Sequence, residues 1–436
     1  MRTPTSVRSA ICILLLVFAV PRMNAYSVLT HEEVVDMVWD SNIVPLLKAR
    51  FPDATADDLR LAHAYAYGGS VIQDIGYYPF GSHYFSDLLH YVRTGDFVSN
   101  LIADSTDINE YAFALGALAH YCGDTVGHPY INQATSAEYP KLRRRFGKVV
   151  TYEEDPTAHL RTEFGFDVVQ VAHSRFATDN YRSFIGFQVS KDLLHRAFLE
   201  TYGVKVDDVL THEDLAIATY RHSVATLIPK MTRVALVAYG KQLQAEDPTF
   251  NRNLFIYRLK QSDYRKMYGR GYEKPRFGAR IVAFFVKIIP KIGPFRPLGL
   301  SLPSPQDEDN YFKSVNLTVD QYRTDLNQLK QPSTIRHDTN LHDIDLDTGH
   351  PTVPGEYGLA DQSYAHLLSQ ITDATSPPIP VSVHDNVLAF YADPSAPNAV
   401  KAKPADWQQV QTNLQVLRTA HLAMPPLEPI PAAASH

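Results

Sequence analysis

Cysteine is almost missing from this chain: Cys12 and Cys122 are the two in 436 residues. Cys12 falls in an N-terminal stretch with the marks of a secretory signal. Arg2 and Arg8 precede the apolar run Ala10–Val20, and Ala25 offers a small residue for cleavage. Cleavage there makes Tyr26 the first mature residue and leaves Cys122 alone. No internal disulfide can then brace an exported chain, whose stability must come from its core or from metal. Long apolar runs are lacking as well, since Ala10–Val20 is too short to span a bilayer. There is no basic excess: 41 Lys and Arg stand against 47 Asp and Glu, and losing Arg2, Arg8 and Arg22 with the acid-free signal takes the formal charge from −6 to −9. Such a chain gains no general electrostatic attraction to nucleic acid. With 45% apolar and 20% charged residues the composition is that of a globular protein, expected to be secreted or periplasmic.

No internal repeat is convincing, and the periodicity divides the chain. Residues 1–25 form the signal, 26–245 an α-helical domain, and 246–436 a helical to irregular extension in which Pro and Gly interrupt shorter apolar segments. Thr30-His31-Glu32-Glu33 reads as a capping box opening a helix through Val34, Val35 and Val38. Asp107 and Glu110 are expected to cap a helix that runs through Tyr111, Leu115 and Leu118 to His120. Gly116 and Ala117 on it would let another element approach closely. Further helices are expected over 157–171, near 186–202, over 212–240 and around Trp407–Leu417.

The most informative segment is His120-Tyr-Cys-Gly-Asp124-Thr-Val-Gly-His128. Residues four apart share a helix face, so two imidazoles and a carboxylate point one way over two turns. That convergence suits a divalent metal, and zinc favours these ligand types. Cys122 stands two positions off the face and reads as a small buried residue. His159 and Glu163 repeat the four-residue spacing, although alone they would pass for an ordinary surface pair. Asp74 and His83 lie in a stretch that Gly76, Pro79 and Gly81 mark as a loop, where a turn-capping Asp and a half-exposed His are commonplace. His31 is weak by itself. It gains weight because the amine and carbonyl of a mature Tyr26 would lie five residues away and could help complete a metal site, making that site dependent on processing.

Taken together, Tyr26, Thr30-His31, Asp74, His83-Tyr-Phe-Ser-Asp87, His120-Tyr-Cys-Gly-Asp124, His128 and His159-x-x-x-Glu163-Phe164 resemble the zinc-dependent phospholipase C family. That family shares a helical fold with the fungal single-strand-specific nucleases, and the resemblance covers roughly residues 26 to 170. It implies a mainly α, multi-helical phospholipase C/nuclease-like domain holding three zinc ions. By the resemblance, Asp74, His83, His120 and Asp124 surround one ion. Asp124 bridges to a second, held also by His31 and Tyr26, and His128, His159 and Glu163 bind the third. Two departures stand out: Tyr26 replaces the family's usual leading Trp, and the interval from Asp124 to His128 is shorter than in its best-known members.

Three close zinc ions suit hydrolysis of a phosphate ester by metal-activated water, with Asp74 as the group that orients or deprotonates it and no Ser or Cys nucleophile needed. The expected substrate is a phospholipid or another phosphodiester. Arg280–Arg296 mixes basic and apolar residues in a way that could touch a membrane surface peripherally, though Pro290 and Pro294 favour its burial. A zinc-dependent single-strand nuclease is the alternative enzyme, and nucleic acid is a partner only in that case. A secreted protein using zinc for stability alone is the non-enzymatic alternative. The cluster His337-Asp338, His342-Asp343, Asp345, Asp347 and His350 reads as a solvated loop, with a second metal site, calcium held by the acids, as the lesser alternative.

Overall fold

A computed structural model of the chain describes residues 28–78, 80–172, 187–222, 303–330, 339 and 341–423. The expected signal segment, Tyr26 and the basic-apolar stretch 280–296 lie outside these residues. The fold is mainly α: α1 (Val28–Val38), α2 (Val44–Arg50), α3 (Ala56–Gly69), α4 (His83–Tyr91), α5 (Thr94–Asp104), α6 (Ile108–Glu138), α7 (Pro140–Phe146), α8 (Pro156–Ala172), α9 (Lys191–Tyr202), α10 (Val206–Val209), α11 (Glu213–His222), α12 (Pro305–Gln328), α13 (Gly358–Ile371), α14 (Val381–Phe390) and α15 (Pro404–Arg418). A two-stranded antiparallel ribbon, β1 (Ile344–Asp345) and β2 (His350–Pro351), precedes α13.

Helix α6, about 45 Å long at 1.5 Å per residue, is the element around which the others pack. Its start is the capping pattern expected at Asp107: the Asp107 carboxylate accepts from the N–H groups of Asn109 and Glu110 at 2.8 and 2.9 Å, and Glu110 accepts from Thr106 N at 2.8 Å. These bonds satisfy amides that the first helical turn leaves open. From Glu110 to Asp124 every residue is buried, as befits a helix enclosed on all sides. Thr30 departs from its expected capping role, because it lies within α1 and not at its head.

Gly69 and Gly116 set the α3–α6 crossing. A Cβ on Gly116 would fall 1.9 Å from the Ala66 carbonyl oxygen, and one on Gly69 would fall 1.9 Å from that of Phe113. Only hydrogen at both positions lets the two backbones meet. That contact brings the end of α3, and the 3-10 turn Ile72–Tyr77 after it, against the middle of α6.

The described residues beyond 302 are largely helical, through α12, α13, α14 and α15. Helix α12 lies along α6, where the Tyr322 hydroxyl donates to Leu115 O at 2.7 Å and the Cys122 thiol to Asp325 at 3.3 Å. One apolar cluster joins Val34, Phe113, Leu115 and Phe198 with Tyr322, Leu367, Val387 and Leu417, so described parts of 26–245 and 246–436 share a core. Among the described residues no helix is long and apolar enough to cross a membrane.

Candidate metal centre

Four helices and the 3-10 turn deliver the polar residues of the centre. His31 comes from the first turns of α1, Asp74 from the turn Ile72–Tyr77, and His90 from the end of α4. His120, Asp124 and His128 come from α6, with His159 and Glu163 from α8. All are buried to within 2% exposure. They form three groups whose ligand atoms lie within 4.8 Å of one another: Asp74, His90 and His120; His31, His120 and Asp124; His128, His159 and Glu163.

Asp124 is the junction. Its Oδ1 lies 3.3 Å from both His31 Nε2 and His128 Nε2, while its Oδ2 lies 2.9 Å from His120 Nε2 and 3.4 Å from His90 Nε2. Helical spacing explains part of this, since 120, 124 and 128 stack on one face. The rest follows from α1 and α4 laying their imidazoles on that face, with the His31 and His120 rings stacked at 4.1 Å. In the third group His159 Nε2 is 2.7 Å and His128 Nε2 3.7 Å from Glu163 Oε1.

His83 is not brought into the centre. It opens α4 just after the capping residue Ser82 and is exposed, and His90, two turns on, stands beside Asp74 at 3.4 Å. Helix α4 thus presents His90, and not His83, to Asp74. A usable signal was present: His90 sits between Leu89 and Tyr91 in an apolar run, which marks a buried imidazole. Tyr26 lies outside the described residues. Cys122 is buried off the ligand face, as expected.

The link from Asp347 to His128 was not anticipated. The loop reading holds for His342 and His350, which are exposed, and fails for Asp345 and Asp347, which are buried. Asp347 Oδ1 meets His128 Nδ1 at 3.0 Å, and Tyr91 and Tyr357 donate to its Oδ2 at 2.9 and 2.6 Å. Burial, then the Asp347 charge, pushes both phenols well above their ordinary range and keeps them as O–H donors.

The electrostatics of the centre are those of a buried, closely packed cluster of imidazoles and carboxylates. Burial opposes ionisation of Asp124, but His120 and His128 outweigh it and hold the carboxyl well below its usual range. Burial likewise opposes protonation of His128, and Asp124 with Asp347 pushes it up to about 9. His31 goes the other way: burial and the neighbouring His120 lower it. Glu163 is raised by burial, with His159 opposing. Both carboxylate oxygens of Asp74 and of Asp124, Glu163 Oε1 and His159 Nε2 are buried without an aligned hydrogen bond. Buried polar atoms in native proteins are ordinarily bonded. Their convergence with imidazole Nε2 atoms fits divalent metal, and the imidazole–carboxylate donor set fits zinc.

Residues 30–205 match a family model described as zinc dependent phospholipase C, a span that holds every member of the three groups. No curated protein and no solved structure matches the chain. The match supports a zinc-dependent hydrolase of phospholipase C type. From Thr30 to Lys205, then, this chain is similar to the zinc-dependent phospholipase C family.

Proposed function

We propose that the chain is an exported zinc-dependent phosphodiesterase that cleaves the glycerol–phosphate bond of phospholipids. The observation that carries this reading is Asp124 with four imidazole nitrogens within 3.4 Å, inside the segment matching the family. Asp74, His90 and His120 would hold one ion, with Asp124 beside them. His31 and Asp124 would hold a second, with the amine of a mature Tyr26 as a further ligand, and His128, His159 and Glu163 a third. Zinc, when bound, supplies Lewis acidity at the phosphoryl oxygens and lowers the pKa of water from 15.7 to roughly 7.

The chain's own residues do the rest. In the hydrolysis a water oxygen bonds to phosphorus and the bond from phosphorus to the glycerol oxygen breaks. The leaving oxygen takes up a proton to become diacylglycerol, and the head group departs with the phosphate. Asp74 is the candidate to orient that water and accept its proton at a carboxylate oxygen, for both oxygens are buried without an aligned hydrogen bond and Oδ1 lies 3.4 Å from His90 Nε2. Its other duty as a ligand competes with this one. The buried rings of Tyr77 and Tyr91 pack against His90, and that of Tyr152 against His159.

Purified mature protein should carry several zinc ions, release diacylglycerol from phosphatidylcholine and lose that activity on chelation. Asp124→Asn should lower zinc content and activity together. The loss should be more than about 100-fold, beyond the 10–100-fold typical of losing an outer-shell partner. Full activity in a folded, zinc-free Asp124→Asn protein would end the reading. Cleavage of single-stranded DNA but not lipid would transfer the centre to a nuclease.

A further inference from the structure

Three histidines of the centre make an outward bond from Nδ1. His90 Nδ1 faces Ser86 O at 2.8 Å and His120 Nδ1 faces Ser70 O at 2.9 Å. Because a carbonyl only accepts, each Nδ1 carries the proton and each Nε2 presents its lone pair to the centre. His128 follows the same plan with a carboxylate, Asp347 Oδ1, in place of a carbonyl. Asp347 is itself fixed from four sides. Tyr91 and Tyr357 hold Oδ2, Asn132 Nδ2 donates to the Asp347 carbonyl at 2.7 Å, and Asp345 Oδ1 accepts from Asp347 N at 2.9 Å. Tyr91 adjoins His90, Asn132 lies one turn beyond His128, and the neighbouring Leu346 N donates to His90 O at 3.0 Å. The turn between β1 and β2 is thus tied to two of the histidines at once.

We propose that Asp347 is a positioning residue of the metal centre, and that the 344–351 ribbon, which lies outside the family-matched segment, is a working part of it. The carboxylate holds the His128 ring with Nε2 aimed at Asp124, His159 and Glu163. It also makes His128 the strongest donor of the three, because a negative partner on Nδ1 raises the electron density that Nε2 offers a cation. Simple packing does not account for the arrangement. A buried carboxylate is costly unless a polar or cationic partner faces it, and the partner that faces Oδ1 is the outer nitrogen of His128. The inference rests on zinc binding by the family segment and not on the identity of the substrate.

The test compares full-length wild type with Asp347→Asn, Asp347→Ala and Tyr357→Phe. The readouts are zinc per chain, zinc affinity by chelator competition, and the visible spectrum after cobalt substitution. Asp347→Ala should lose one ion per chain, or bind it 10–100-fold more weakly, with an altered cobalt spectrum. Asp347→Asn keeps an acceptor for Nδ1 without the charge, so its loss should be smaller. Tyr357→Phe should move the same readouts in the same direction and least of all. Wild-type zinc content, affinity and spectrum in both Asp347 variants would overturn the proposal, as would lowered stability with unchanged zinc affinity. If Asp347→Ala does not fold, the Asn variant decides. Wild type that binds zinc yet cleaves no phospholipid would sink the enzymatic reading alone, while wild type that binds no zinc would sink both.

Discussion

His90 and His83 stand seven residues apart on one short helix with opposite surroundings, one buried against Asp74 and Asp124, the other exposed at the helix start. His90→Ala should therefore lower zinc content and activity, while His83→Ala should change stability by no more than about 0.5 kcal/mol and leave zinc unchanged. Equal losses in the two variants would reverse the assignment. Asp343 gives a separate test away from the ligands. Its Oδ1 accepts from the N–H groups of Gly95 and Asp96 at 3.1 and 3.2 Å, and its neighbours are Arg93, Asp96, Tyr202, Tyr364 and Asn386. Burial and then the Asp96 charge push its carboxyl up to about 6, with Arg93 and the two amides opposing. The folded state therefore holds this proton in a window, from about 3.8 to 6, where the unfolded chain has released it. Its contribution to stability is complete below that window and falls as pH rises through it, by at most about 1.4 kcal/mol per pH unit. Asp343→Asn keeps the acceptor and should flatten that part of the curve in denaturant titrations between pH 4 and 6.

Among the elements, α6 and its contacts were the most legible in the sequence. Asp107 and Glu110 announced its start, the small residues near Gly116 announced a close neighbour, and the 120–124–128 spacing announced its polar face. Helices with a cap and one regular period show themselves locally. The ribbon carrying Asp347 does not, because its partner His128 lies 219 positions away and no local pattern couples the two. Helix α12 was hidden for a different reason: it sits beyond a Pro- and Gly-rich stretch that gave the whole C-terminal half an irregular texture. The α3–α6 crossing makes a sharp prediction. Gly116→Ala places a methyl 1.9 Å from Ala66 O and 2.9 Å from Ser70 N. It should destabilise the fold by at least about 2 kcal/mol, measured by thermal or urea unfolding. Because Ser70 O orients His120, zinc affinity should fall as well. An unchanged midpoint would mean that the helices do not touch there.

Across the whole molecule, the family-matched segment shares its core with elements beyond it. Val319, Tyr322 and Leu326 of α12, and Leu367, Val387 and Leu417 beyond it, are buried in the same apolar cluster as α1, α3 and α6. A chain ending at residue 245 should expose those faces and lose cooperative unfolding, which near-ultraviolet circular dichroism and a thermal scan would register. A soluble, zinc-replete and cooperative 26–245 fragment would refute this. Zinc removal from the full chain should also lower its melting temperature, since an ion present at about 1,000 times its Kd contributes about 4 kcal/mol. The buried carboxylates of Asp74 and Asp124 are left facing one another's histidines without it.

The ties from Leu346 to His90 and from Asp347 to His128 also impose a chronology. Synthesis runs from the N-terminus, so every residue of the three ligand groups exists well before the ribbon has been made. The inner donors are present early and the part that orients His128 arrives late. A chain captured before residue 347 would hold the ingredients of the third group with that imidazole still untethered, and its last ion should be the one that loads on completion.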